Sequence, residues 1–212
     1  MFRRSRSRRC VDFDFDSLCQ DYLSARLHTP GEVLSQPCPV PQVPGVYGWW
    51  FRQAPPRVPT TGCVQRHGAT LLYAGISPKQ PPTNGRPPSR QNLRKRIRQH
   101  LRGNAAVSTL RLTLGVLLGE DLDIELRCVG SGARRTFGPS GEAALSEWIA
   151  DNAQVSWVSH PEPWKPEQML TDRLNLPLNL QGNAHSAFHS ELTRLRADAA
   201  LRARQLPVLV RT

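Results

Sequence analysis

The placement of proline constrains this chain more than any other feature. Thirteen of its 19 prolines lie between residues 30 and 88. Proline has no backbone N–H and a fixed φ, so it interrupts helices and is excluded from central strands. The segment must therefore consist of loops and short strands, and long helices belong after it. Two apolar runs break it, Val46–Phe51 and Thr70–Ala74, each rich in aromatic or aliphatic residues and bounded by glycine or proline. They predict two strands that can pair as a hairpin across a long loop, Gln53–Gly68.

The helical pattern begins where the prolines stop. In Gln91–Arg102, Leu93, Ile97 and Leu101 recur at i, i+4 and i+8 among basic residues, which predicts a cationic amphipathic helix. Ser108–Leu118 fits two readings. Leu110, Leu112, Leu114 and Val116 alternate as in a strand, whereas Leu110, Leu114, Leu117 and Leu118 share one helical face with Ser108 as its N-cap. Further on, the pattern predicts a helix over Glu142–Asn152 and a strand over Gln154–Ser159. It then predicts a helix over Pro163–Leu174 and a last helix over Ala187–Arg204 that buries Phe188, Leu192, Leu195 and Ala199. At the other end, residues 1–9 read as a basic arm, and Val11–Leu27 as a short helix.

At 212 residues and 39% hydrophobic, the chain holds one core with trimmings. The expected division is 1–28, arm and short helix; 29–183, the main domain with insertions; and 184–212, a C-terminal helical extension. No apolar run approaches the roughly 18 residues of a membrane helix. The basic N-terminus has no apolar run behind it, so it is not read as a secretory signal. The five cysteines are odd in number and lack a C-x-x-C pair, which argues against a disulfide framework or a zinc knuckle. Free thiols in a reducing cytoplasm are expected.

Charge is segregated. Between Val33 and Gly119 there is no Asp or Glu, and the window carries twelve Lys and Arg; the rest of a chain of net charge +11 is close to neutral. Such segregation suits a polyanionic partner, although arginine outnumbers lysine 25 to 3, so a solvated basic face is the plain alternative. The expected phosphate contacts are Lys79, Arg86, Arg90, Arg94, Lys95, Arg98 and Arg102.

Some polar residues fall where a core should be. Glu167 shares a stripe with Leu170 and Leu174, and a buried carboxylate needs a partner or a metal. Arg96 and His100, one turn apart, border the apolar face of the cationic helix, and Tyr47 and Tyr73 sit in the two strands near glycines. Together these groups suit phosphodiester hydrolysis. A phenol or imidazole handles the proton of water, a guanidinium holds charge developing on phosphate, and a carboxylate holds a divalent metal. Taken singly, each has an ordinary reading: core tyrosines, a helix-start glutamate, one arginine among seven basic residues between Arg86 and Arg102.

In order, Pro44-Gly45-Val46-Tyr47, Leu72-Tyr73-Ala74-Gly75, Asn92 to His100 with Arg96, then Glu167 and Leu176-Pro177-Leu178-Asn179 resemble the motifs of the GIY-YIG nuclease superfamily. The resemblance spans about residues 44–182. It implies an α/β (α+β) domain, a small three-stranded antiparallel sheet flanked by helices, to which the chain's own pattern adds extra helices at both termini. It implies that Tyr47 and Tyr73 are the paired tyrosines and Arg96 the phosphate-stabilising arginine. His100 stands where members carry tyrosine or histidine, Glu167 would be the metal ligand, and Asn179 a structural or substrate-orienting residue. Mg²⁺, or another divalent cation such as Mn²⁺, is the implied cofactor. DNA is the implied partner in a bacterial-type cytosol, with specificity from loops, the C-terminal helix or a partner protein. The chain departs from the pattern in having Ala74 in the second motif and Ile76 where many members carry lysine; Lys79 is the nearest lysine. The reading is a metal-dependent DNA endonuclease. A nucleic-acid-binding module without turnover and an RNA-processing nuclease are its alternatives.

Overall fold

A computed structural model describes residues 15–209, so the expected basic arm, Cys10 and the start of the first helix lie outside the described residues. In chain order the elements are α1 (Phe15–Ser24), α2 (Pro30–Leu34), β1 (Gly45–Phe51), β2 (Gln65–Arg66), β3 (Ala69–Ser77), α3 (Leu93–Arg102) and α4 (Thr109–Leu117). There follow β4 (Arg127–Val129), β5 (Arg134–Thr136), α5 (Gly138–Asn152), β6 (Ala153–Ser159), α6 (Trp164–Arg173) and α7 (His189–Gln205). The proline-rich segment holds only β1–β3 and the one-turn-scale α2, as backbone chemistry requires.

The central sheet is antiparallel with strand order β2-β3-β1-β6. It has four strands, which corrects the expected three. The additional strand, β2, comes from the stretch read as loop. His67 and Gly68 take φ of +50° and +73°, the left-handed pair of a two-residue hairpin turn, and fold Gln65 and Arg66 back against Thr70 and Ala69. Two polar residues carry no alternation, so the pattern did not reveal them. The stretch Glu120–Gly138 forms a separate two-stranded ribbon, β4–β5.

β1 is buried along its whole length because the sheet is covered on both faces. Tyr47, Trp49 and Phe51 join one core with Leu93, Ile97 and Leu101 of α3, and with residues of α4, α5 and α7. Val46 and Trp50 point the other way, against Tyr22 of α1 and Leu170 of α6. Full burial of Leu93 and Ile97, each about 1.5–3 kcal/mol, anchors a helix that is otherwise cationic. Ser108 settles the ambiguous stretch as helix: its Oγ accepts the Arg111 N–H at 3.1 Å and caps α4. α7 places Leu192, Ala199 and Ala203 in the main core, while Leu195 is only half-buried. Among the described residues no helix is long and apolar enough to cross a membrane, and Cys19, Cys38, Cys63 and Cys128 are free thiols.

Candidate active site

A bulge in β3 brings the two tyrosines to one face. Tyr47 lies opposite Gly75 and Trp49 opposite Tyr73, but Trp50 lies opposite Leu71, so Leu72 is an extra residue. Strand side chains alternate between faces, so without Leu72 as an extra residue Tyr73 would follow Leu71 into the other core. The bulge turns Tyr73 toward Tyr47.

The motif glycines clear space rather than relieve backbone strain. A Cβ on Gly75 would stand 2.6 Å from Tyr47 Oη and 2.7 Å from Cζ. On Gly45 it would meet Val158 O at 2.3 Å and Leu93 Cδ1 at 2.7 Å; on Gly48, Tyr22 Oη at 2.6 Å. The backbone thus stays close enough for α1 and α3 to pack on β1 and for the Tyr47 phenol to lie across β3.

Tyr47 Oη is 2.8 Å from His100 Nε2, and His100 Nδ1 is 2.7 Å from Ser108 Oγ. All three residues are buried, and Trp49 and Tyr73 stand edge-on to the imidazole. Burial, reinforced by the charges of Arg96 and Arg111, holds His100 well below the ordinary histidine range, so the ring is neutral. A neutral imidazole has one N–H and one lone pair, so one nitrogen donates and the other accepts. Burial likewise pushes the Tyr47 and Tyr73 phenols upward; the Arg96 charge opposes this for both.

Arg96 is half-buried, and its Nη1 donates to Gln99 Oε1 at 2.8 Å and to Val107 O at 3.0 Å. Those two acceptors fix the guanidinium at the edge of a cleft of about 570 Å³, which Tyr47, Tyr73, Lys79, Glu167 and Asn179 also line. A shallower depression of about 1010 Å³ beside α1 contains none of these groups.

Glu167 sits in the first turn of α6. Burial raises its carboxyl above the usual range, and the Lys79 charge only partly opposes this. Lys79 lines the same cleft as Glu167. Among the described residues, no group of three or more acidic, histidine or cysteine side chains could hold a metal. Glu167 is nevertheless a half-buried carboxylate, and none of the ion pairs among the described residues includes it. On the same cleft wall, Ser77 Oγ is fully buried with no hydrogen-bond partner among the described residues. A hard cation such as Mg²⁺ takes one or two carboxylates and fills its shell with water and phosphate oxygens, so these residues fit it.

Asn179 holds structure. Its Oδ1 accepts the Ala74 N–H at 2.9 Å and its Nδ2 donates to Ala74 O at 2.8 Å, so the amide pairs with the edge of β3 beyond the short β2. Asn183 Nδ2 donates to Leu176 O and Asn179 O and ties the loop to itself.

The cations divide. Lys79, Arg86, Arg90, Lys95 and Arg102 are exposed and Arg98 is half-buried. Arg94 differs from the expectation of a phosphate contact: Nε donates to Val40 O at 2.6 Å and Nη2 to Cys38 O at 3.4 Å. Arg66 donates to the carbonyls of Leu23 and Ala25 and lies over Trp50. Arg111 is fully buried, 2.7 Å from Glu142 Oε2, and also donates to the carbonyls of His100 and Leu101. Glu142 Oε1 in turn accepts the N–H of Ala105 and of Phe137. The sequence reading missed this hub, together with Gln99, the Ser108–His100 contact and Arg196, which also lines the cleft. Ser108 carried a signal as a helix cap; Arg111 carried a misleading one, because it lies in the acid-free window.

In comparisons with known proteins, residues 45–198 match the family model described as the GIY-YIG catalytic domain. No curated protein and no solved structure matches the chain.

Proposed function

Because the chain belongs to the GIY-YIG catalytic-domain family, a nuclease fold that covers well over half its length, we propose that it is a divalent-cation-dependent endonuclease that hydrolyses phosphodiester bonds in DNA. The observation that carries this reading is the buried chain Tyr47–His100–Ser108, which opens into the cleft beside Arg96 and Glu167.

A buried phenol is a poor base by itself, since burial disfavours its phenolate. A neutral imidazole 2.8 Å away changes that. With Nδ1–H directed to Ser108 Oγ, Nε2 accepts the Tyr47 proton as Tyr47 Oη takes one from the attacking water. The positive charge that burial denies the resting His100 is balanced during the step by the negative charge that grows on the phosphate as water attacks, and no free phenolate is required. Arg96, held by Gln99 and Val107, presents its remaining N–H groups where negative charge grows on the phosphate. Glu167 would hold the divalent cation, whose chemistry when bound is to polarise the phosphate and stabilise the leaving oxygen. Tyr73, on the same face as Tyr47, borders the substrate position. Lys79, Arg86, Arg90, Lys95, Arg98 and Arg102 supply phosphate contacts whose strength falls steeply with salt.

The test is nicking of supercoiled plasmid with Mg²⁺ or Mn²⁺, against EDTA, by wild type and Glu167→Gln. Wild type should nick only with the cation. Glu167→Gln should bind DNA as well or better and not cut. Near-normal cleavage by that variant would remove Glu167 from the chemistry. Cleavage of an RNA of the same sequence but not of DNA would move the protein to RNA processing, and tight binding without cleavage of either would leave a binding module.

A further inference from the structure

A second guanidinium reaches the cleft from outside the motifs. Arg196 lies on α7 and lines the same cleft as Arg96, Tyr73 and Glu167. It is half-buried. Two residues before it, Arg194 pairs with Asp198 at 3.0 Å, but none of the ion pairs among the described residues includes Arg196. The charge that acts on Glu167 is that of Lys79. A guanidinium stays protonated at any working pH, so a half-buried one without a carboxylate is an uncompensated charge. The structure withdraws Arg196 partly from water in a cleft where none of the ion pairs among the described residues neutralises it, a setting that suits an anionic ligand.

Its neighbours say which anion. Arg96 and Arg196 line the cleft from α3 and α7, and the Arg196 guanidinium lies close enough to the Tyr73 phenol to act on it electrostatically. We propose that Arg196 is a second phosphate clamp, which binds the backbone phosphate next to the scissile one, so that the cut strand runs across the cleft between α3 and α7. The assignment rests on the nuclease reading and extends it: α7 becomes one wall of the substrate channel. A contact to a phosphate that does not react is as strong in the ground state as in the transition state, so it governs KM and not kcat.

The experiment uses wild type, Arg196→Ala and Arg196→Gln on a short DNA duplex whose cut position has been mapped in Mg²⁺. Arg196→Gln keeps much of the side chain's length in case the alanine variant does not fold, and melting temperature checks both. Loss of a hydrogen bond to a charged group should raise KM by about 10- to 100-fold, with kcat nearly unchanged. Neutral methylphosphonates are then placed one at a time along the cut strand. One position beside the cut should weaken wild-type binding and have no further effect in the variants. A fall in kcat at constant KM, or equal sensitivity of wild type and variants at every position, would overturn the assignment. Failure of wild type to cut any DNA would instead refute the nuclease reading, and this inference with it.

Discussion

Gly75→Ala is the sharpest probe of how the site is built. The added methyl would stand 2.6 Å from Tyr47 Oη, 2.7 Å from Cζ and 3.1 Å from Cε2, about 0.8 Å inside ordinary contact at the oxygen. Gly75 has no positive φ, so the substitution tests space and not backbone strain. Nor can the phenol retreat freely: Tyr47 is 1% exposed and its Oη is fixed 2.8 Å from His100 Nε2. A shift that relieves the clash stretches that bond beyond useful length. Overpacking should cost about 1–3 kcal/mol of stability. Displacing the proton acceptor by nearly an ångström should cost on the order of 100-fold in cleavage. Plasmid nicking rate and thermal unfolding, measured together, separate the two effects. Tyr47→Phe in the same background removes the atom that clashes hardest. The double variant should therefore lose less stability than the two single changes combined. Cleavage by Gly75→Ala within a fewfold of wild type would refute both the packing argument and the Tyr47–His100 relay.

Other expectations follow from the same geometry. Arg96→Ala should lower the cleavage rate by about 10²–10³ with little effect on DNA affinity, whereas Lys95→Ala should weaken affinity more than rate; equal effects would make Arg96 a plain backbone contact. Glu142→Ala strands the buried Arg111 and orphans two backbone N–H groups, so it should lower stability by about 3–5 kcal/mol, read by urea unfolding. His100 is held below its ordinary value of 6.5, so the unfolded chain binds its proton first on acidification. The stability it contributes is complete above pH 6.5 and is lost as pH falls through the window beneath. Wild type should thus lose melting temperature below pH 6.5 more steeply than His100→Gln, and parallel curves would count against the neutral, buried imidazole.

The backbone chemistry of proline and the spacing of leucines were enough to place β1, β3, α3 and the later helices, because those signals are local. The pairs Gly45 with Tyr47 and Tyr73 with Gly75, and Arg96 with His100, were legible for the same reason: each lies within one strand or one helical turn. Burial is not local, so charge patterning alone could not separate cations that face solvent from cations that serve the fold. Arg94 and Arg111 lie in the acid-free window, yet one serves loop carbonyls and the other meets Glu142, which is 31 residues away. Two polar residues without alternation, Gln65 and Arg66, became a strand only because a left-handed turn folded them onto β3. The sequence by itself determined which chemical groups the chain owns and which short elements carry them. Only the tertiary structure decided that the bulge at Leu72 turns Tyr73 toward Tyr47, that Ser108 orients His100, and that α7 delivers Arg196 to the cleft. Those outcomes depend on register and on which faces pack together, and the free energies that set them come from contacts between residues far apart in the chain.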